Sequence, residues 1–262
     1  MTAFSGTGSI WGYLANIVTD IDVTAAGNPG TVAVLGNNLT HPTGAGMTAL
    51  GGGSRVPVSS GLAAALRTNT QGVPDYGAID AGIEDNGVLR DVRGNAGGLS
   101  ALSRLDRDIL DRPGIGTVIV TEGLTDLLNG AIANTLSSVG YTELATLLNA
   151  WGVTVIFASL TPCDGYSPCT AAVDSARTAV NTWIGGQSTF LAPFLSNVDF
   201  NAAVAVDDPD SSSTPAEQKL GTGAAPADYD SGDHVNLTND GYAALTASIP
   251  LTGLVDNTPP AY

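Results

Sequence analysis

Two acidic residues and one histidine are the groups of this chain best suited to acid/base chemistry: Asp85, Asp233 and His41. If the fold brings Asp85 and Asp233 close together, their pKa values separate, and one carboxyl can act as an acid while the other acts as a base. Such a pair can catalyse a cyclisation, an elimination or an isomerisation, and paired carboxyls also cleave glycosidic bonds. The alternative for all three residues is that they are solvated and have no chemical role.

Four polar segments contain these residues or lie beside them. Residues 36–40, 82–86 and 122–126 directly follow short apolar runs, and residues 230–236 precede the last helical pattern. Because ligands of parallel α/β sheets bind beyond the carboxyl ends of the strands, we expect the four segments to meet at one edge of a sheet.

Short β-branched runs alternate with longer helical patterns along the chain, which predicts an α/β fold with a mostly parallel five-stranded sheet and helices on both faces. Five strands suit a flavodoxin-like order. The predicted strands are residues 31–35, 76–80, 116–120, 153–157 and 198–204. The predicted helices are residues 59–67, 99–110, 142–150, 171–184 and 239–247.

One large domain is expected, because 262 residues with 43% hydrophobic content can fill a single sizeable core. We assign it residues 30–262. Residues 1–29 are interpreted as an N-terminal edge strand or the remnant of a preceding module. The polar, acidic residues 207–223 are predicted to form a surface loop.

The charge balance excludes several classes of partner. With a formal charge of −16 and only 9 basic residues, the chain is not expected to bind nucleic acid or an anionic membrane surface. No apolar stretch of about 18 residues exists to span a bilayer. The expected partner is therefore a small molecule, and the oligomeric state stays open.

The two cysteines, Cys163 and Cys169, are separated by a short polar segment that could let their sulfurs meet in a disulfide. Two thiols without nearby histidines do not make a structural zinc site, so no metal or other cofactor is expected. The low lysine content and many small residues favour an exported protein whose leader is absent here, with a cytoplasmic location as the alternative.

The four segments resemble, in order and spacing, the consensus blocks of the SGNH (GDSL-like) hydrolases, in particular the secreted actinobacterial esterase-like members. The resemblance extends from about residue 30 to residue 249 and implies a three-layer α/β/α sandwich. In the first block of that family the nucleophilic serine stands where this chain has Asn38, next to Asn37. In the second block Asp85 stands at the glycine whose backbone N–H helps to bind the oxyanion.

The other two blocks also depart from the family pattern. Thr125 stands at the asparagine that donates to the oxyanion, and Asn236 stands at the catalytic histidine. Asp233 keeps the position of the catalytic aspartate, whereas His234 matches a flanking histidine without a catalytic role. The family machinery is therefore expected to be lost apart from Asp233.

Each replacement opposes ester hydrolysis. An amide side chain is not a comparable nucleophile and cannot accept a proton as a base. An ionised Asp85 would repel an oxyanion, in addition to the roughly 2.7–4 kcal/mol lost with one oxyanion donor. The sequence thus favours a non-hydrolytic protein that binds a small ligand in the cleft of the family fold. The expected cleft residues are Asn37, Asn38, Thr125, His234 and Asn236.

Two other functions remain open at this point. One is a repurposed enzyme that uses Asp85 and Asp233, with His41, for acid/base chemistry. The other is a residual ester hydrolase.

Overall fold

The computed structural model describes residues 30–40, 56–68, 76–92, 98–186, 195–208, 210, 218–221 and 228–254. The interpretation of residues 1–29 as an edge strand or remnant, and the position of His41, lie outside the described residues.

A five-stranded sheet forms the centre of the domain. Its strands are β1 (Thr31–Gly36), β2 (Gly77–Gly82), β3 (Ile115–Val120), β4 (Thr154–Ala158) and β5 (Leu195–Val198). Their order is β2-β1-β3-β4-β5, and every neighbouring pair is parallel. The predicted flavodoxin-like sheet is therefore confirmed. β3 and β4 are buried along their whole length, as expected for continuous apolar strands covered on both faces.

Eight α-helices flank the sheet in the described part of the chain. They are α1 (Val58–Thr68), α2 (Ala101–Leu105), α3 (Leu124–Leu128), α4 (Ala133–Thr135), α5 (Thr142–Ala150), α6 (Ala171–Gly186), α7 (Phe200–Val204) and α8 (Asn239–Ser248). The π-helical turns Asp106–Leu110 and Leu136–Tyr141 extend α2 and join α4 to α5, and Leu251–Leu254 is a 3₁₀ turn. In this part of the chain no helix has both the length and the hydropathy that crossing a membrane requires.

Hydrophobic cores lie on both faces of the sheet. On one face Val118 and Val120 of β3 pack in a cluster with Leu105, Leu148 and other residues of α2, α5 and α6. On the other face Ile119 belongs to a cluster that includes Leu62 of α1, together with residues of α7 and α8. This alternation along β3 follows from the two-residue period of a strand and gives the three-layer α/β/α sandwich.

The fifth strand lies earlier in the chain than predicted. The run of residues 198–204 was expected to be a strand, but β5 ends at Val198 and α7 begins at Phe200. The carboxylate of Asp199 accepts a hydrogen bond from the backbone N–H of Ala202 at 2.9 Å, which caps the helix. Capping by Asp199 therefore overrides the β-propensity of the following residues.

The predicted surface loop at residues 207–223 is wrong in part. A short strand β6 (Ala205–Asp207) pairs antiparallel with a second one, β7 (Gln218–Leu220), which lies inside the predicted loop. Each of these two strands has only three residues, which is too few for an alternation of apolar and polar residues to identify a strand in the sequence.

Candidate functional site

A cleft of about 280 Å³ lies where the loops after β1, β2, β3 and β4 meet the segment before α8. Ligands of this sheet type bind at this edge. The cleft is lined by the following residues singled out in the sequence: Asn37, Asn38, Asp85, Thr125, Asp233 and Asn236. The structure thus brings these residues together, while their functional roles stay predictions.

Asn38 and Asp85 are joined by a hydrogen bond between the loops after β1 and β2. The side-chain oxygen of Asn38 accepts a hydrogen bond from the backbone N–H of Asp85 at 2.8 Å. Asp85 has φ 55°, the left-handed conformation that glycine adopts most easily and that aspartate tolerates. The N–H at this position is the donor that the family resemblance assigns to the oxyanion, and here Asn38 already engages it.

The turn that carries Asn38 is fixed from two sides. The hydroxyl of Tyr242 donates to the backbone oxygen of Asn38 at 3.2 Å. The side-chain oxygen of Asn37 accepts from the N–H of Leu39 at 3.3 Å, so another backbone donor of this wall is satisfied within the protein.

Asp233 and Asn236 also line the cleft, and they are hydrogen-bonded to each other. One carboxylate oxygen of Asp233 accepts from the N–H groups of Asn236 at 2.7 Å and Val235 at 3.1 Å, and from the hydroxyl of Ser231 at 3.2 Å. The other oxygen accepts from the side-chain amide of Asn236 at 2.7 Å. Burial raises the pKa of Asp233, but these hydrogen bonds outweigh it and hold the pKa below its usual value.

His234 has a different set of partners from the cleft residues. Its Nδ1 lies 2.7 Å from the carboxylate of Asp230, and its backbone N–H donates to the same carboxylate at 2.9 Å. The ring lies over Gly165, where a Cβ would come within 2.8 Å of it. His234 is not among the residues that line the cleft. Asp230 was not among the residues singled out from the sequence, since it lies four residues before His234 and no block of the family pattern points to it.

Arg104 is a buried residue that the sequence analysis missed and that holds the cleft loops in place. Its side chain is fully buried and donates to the backbone oxygens of Ala81 at 2.7 Å and Gly36 at 3.4 Å, at the ends of β2 and β1. It also donates to Asn86 at 3.1 Å and to Glu122 at 2.6 Å. One guanidinium therefore connects the loops after the first three strands.

Glu122 and Asp126 anchor the loop after β3. Burial raises the pKa of Glu122 to about 8, although the Arg104 guanidinium opposes this effect. Burial also raises the pKa of Asp126, against the hydrogen bonds that its carboxylate accepts from the N–H groups of Val88 at 2.7 Å and Leu89 at 2.9 Å. These contacts fix α3, which carries Thr125, against the loop after β2.

A second buried arginine, Arg177, holds the loop after β4. It donates to the backbone oxygen of Leu160 at 3.1 Å and to the side chains of Asp174 at 2.7 Å and Asn201 at 2.6 Å. Leu160 lines the cleft, so Arg177 fixes this side of it.

The predicted disulfide between Cys163 and Cys169 is confirmed, with Cα atoms 5.8 Å apart. The two cysteines form a small apolar cluster with Leu124, against which Tyr166 and Val235 pack. Cys163, Cys169 and Asp174 lie close enough together to resemble a metal site. However, disulfide sulfurs offer no thiolate ligand, so this group does not fit a metal ion.

The cleft is poor in the groups that ester hydrolysis needs. Among the described residues that line it there is no serine, cysteine, histidine, lysine or arginine. The threonine hydroxyls include that of Thr121, which lies 2.8 Å from the hydroxyl of Thr40. The cleft offers carboxylates, amides and an apolar wall, which suits binding or carboxyl-based proton transfer.

Comparison with solved structures identifies the fold. The chain is similar to an aryl esterase of M. smegmatis, with a TM-score of 0.58 and 15% identity over 83% of this chain and 95% of that one. It is also similar to a carbohydrate acetylesterase family member from Sinorhizobium meliloti, with a TM-score of 0.62 and 14% identity over 85% and 96% of the two chains.

A putative lipolytic protein of the G-D-S-L family from Desulfitobacterium hafniense matches with a TM-score of 0.54 and 15% identity over 84% of this chain and 97% of that one. No protein-family model and no curated protein matches the sequence. At these identities the likeness shows the fold alone. The chain has the SGNH-hydrolase fold, which confirms the resemblance stated from the sequence at that level.

Proposed function

We propose that this chain, which has the fold of the SGNH hydrolases, is a non-hydrolytic protein that binds a small molecule in the cleft described above. The observation that carries the proposal is the hydrogen bond from the N–H of Asp85 to the side chain of Asn38. It joins the position of the family nucleophile to the position of an oxyanion donor, and it leaves neither available for acyl transfer.

The base is also replaced. Asn236 donates its amide to Asp233 as a histidine would donate its ring N–H, so the arrangement of the pair is kept while its basicity is lost. Nucleophile, base and oxyanion donors act as a unit, and the loss of several leaves little more than binding. The activities of the structural neighbours are those of proteins about 15% identical to this chain or less, and they are not transferred to it.

A second candidate is a repurposed enzyme that uses Asp85 and Asp233, since both line the same cleft. The hydrogen bonds that lower the pKa of Asp233 favour its ionised form, which is the form that acts as a base. If a substrate screen finds an activity, Asp85→Asn and Asp233→Asn should each abolish it without unfolding the protein. Full activity in either variant would exclude this candidate.

We also propose an exported protein. The disulfide between Cys163 and Cys169 supports this location, because disulfides persist mainly in oxidising compartments.

Ligand binding can be tested with a library of small molecules and a thermal-shift assay on the wild type and two tryptophan variants. Val235 lines the cleft, so Val235→Trp should fill it and abolish the stabilisation by genuine ligands. Val139 is 57% exposed and does not line the cleft, so Val139→Trp should leave the stabilisation unchanged. The proposal fails if no compound distinguishes the two variants.

A further inference from the structure

The side chains that line the cleft are of two chemical kinds. Glu84, Asp85 and Asp233 are acidic. Leu124 and the partly buried Tyr166 offer apolar and aromatic surface. A ligand that fills the cleft must therefore satisfy negative charge and also offer apolar surface.

We propose that the ligand of this cleft is a small organic cation, an amine or ammonium group carried by an apolar or aromatic body. This inference rests on the proposed function, because it names the class of molecule that the same cleft binds.

The hydrogen bonds of the cleft supply the first argument. Three of its backbone donors are used within the protein: the N–H of Asp85 by Asn38, and the N–H groups of Val235 and Asn236 by Asp233. An anionic or carbonyl ligand needs such donors, and these are already engaged. The carboxylate oxygens that line the cleft are acceptors, which suits a charged donor such as an ammonium group, whereas the side-chain donors that line it are neutral amides and hydroxyls.

Charge supplies the second argument. The described residues that line the cleft include three acidic side chains and no basic one. The chain as a whole has a formal charge of −16, so its field adds to the local one. A carboxylate or phosphate ligand would face like charges, whereas a cation would be attracted.

The aromatic side chain of Tyr166 supplies the third argument. Tyr166 lies in the loop closed by the disulfide, and its backbone N–H donates to the oxygen of Cys163 at 3.1 Å. The N–H of Cys169 donates to the oxygen of Tyr166 at 2.7 Å, so the backbone of Tyr166 is held at both its N–H and its carbonyl. An aromatic face in a fixed loop attracts a cation, and it packs against an apolar body without a large loss of freedom.

Matched probes test the proposal. Triplets that share one body and differ only in the end group, such as phenethylamine, phenethyl alcohol and phenylacetate, are titrated into the disulfide-bonded protein at neutral pH by ligand-observed NMR. Cyclohexylmethyl and butyl triplets extend the series to other shapes. At least one amine should bind about tenfold more tightly than its alcohol, which corresponds to about 1.4 kcal/mol. The matching carboxylate should not bind.

Variants locate the binding. Asp85→Asn should weaken amine binding about fivefold or more while keeping the fold, since asparagine tolerates the positive φ of this position. Glu84→Gln independently removes a negative charge from another residue that lines the cleft. Glu143→Gln makes the same charge change at an exposed helical site outside the cleft and should leave binding unchanged.

The outcomes separate the two proposals. If alcohols or carboxylates bind in the cleft as tightly as the amines, or if no amine binds there, the cation inference is wrong while small-molecule binding can still stand. An equal loss of binding in Glu143→Gln would also overturn the inference, because it would mean that the amines respond only to net charge. Binding in the cleft as such is tested separately, by the library and the tryptophan variants.

Discussion

The side chain of Asn38 accepts a hydrogen bond from the backbone N–H of Asp85 at 2.8 Å, which links the loops after β1 and β2 in the lining of the cleft. Each residue is unusual for the position that the family resemblance assigns to it, yet each accommodates the other. Asp85 keeps the left-handed backbone that presents its N–H, and Asn38 supplies an oxygen to accept it. Asn38 and Asp85 thus form one arrangement, in which the N–H of Asp85 has a hydrogen-bond acceptor within the protein and needs none from a substrate.

Restoring the serine alone should not produce an esterase. Asn38→Ser supplies a hydroxyl, but Asn236 cannot act as its base and Asp85 still opposes an oxyanion. We expect Asn38→Ser to show no labelling by serine-directed phosphonates. The combined variant Asn38→Ser, Asp85→Gly, Thr125→Asn, Asn236→His should show measurable labelling, since Asp233 is already in place. Stoichiometric labelling of the single variant would contradict the roles inferred for the other positions.

Arg104 should be essential for stability. Arg104→Leu removes the hydrogen bonds to Glu122 and to the ends of β1 and β2 and leaves these buried acceptors without that donor, which should cost about 3–5 kcal/mol of unfolding free energy. Arg107 is a matched control, because it pairs with Asp108 as Arg104 does, yet its side chain is 61% exposed. Arg107→Leu should cost less than about 1 kcal/mol. Urea denaturation of both variants measures the difference, and equal losses would contradict the role assigned to Arg104.

Gly165 should tolerate no side chain. It has φ +92° and lies under the ring of His234, so Gly165→Ala should cost about 1–3 kcal/mol. A Cβ added at Gly185 in α6 would meet nothing within 4 Å, so Gly185→Ala should be neutral or stabilising by up to about 1 kcal/mol. Thermal unfolding compares the two, and a neutral Gly165→Ala would show that the loop can rearrange.

The stabilisation from Asp233 should depend on pH. Because the folded state lowers the pKa of this carboxyl, its contribution is complete above the unfolded-state pKa of about 3.9 and is lost as the pH falls through the folded-state value. Asp233→Asn should therefore unfold at a lower temperature than the wild type at pH 7, and the gap should narrow below about pH 4. The exposed control Glu143→Gln should show a smaller gap at pH 7. If the difference in unfolding temperature between the wild type and Asp233→Asn stays the same in acid, the stabilising role of the ionised Asp233 carboxylate is contradicted.

The sheet could be predicted from the sequence because its strands are continuous β-branched runs. β1, β3 and β4 lie within one or two residues of their predicted positions. β5 could not be placed, since Asp199 ends it through a hydrogen bond that periodicity does not express. The short helices α3, α4 and α7 were missed for a related reason, because each is too short for a helical repeat to show.

The residues that line the cleft were largely identifiable from where strands end, but the groups that hold them were not. Arg104 appears in the sequence as one polar residue of a helical pattern, and its partners Gly36, Ala81 and Glu122 are distant along the chain. The same holds for Arg177. A polar side chain that joins several loops leaves no local pattern in the sequence. A buried strand, in contrast, appears there as a continuous apolar run.

The central claim is that the cleft does not hydrolyse esters, and the most direct measurement is turnover of short p-nitrophenyl acyl esters combined with labelling by a serine-directed phosphonate. We expect release of p-nitrophenol at the rate of the buffer alone and an unchanged protein mass after the phosphonate. Stoichiometric labelling, or turnover that a single substitution in the cleft abolishes, would contradict the claim.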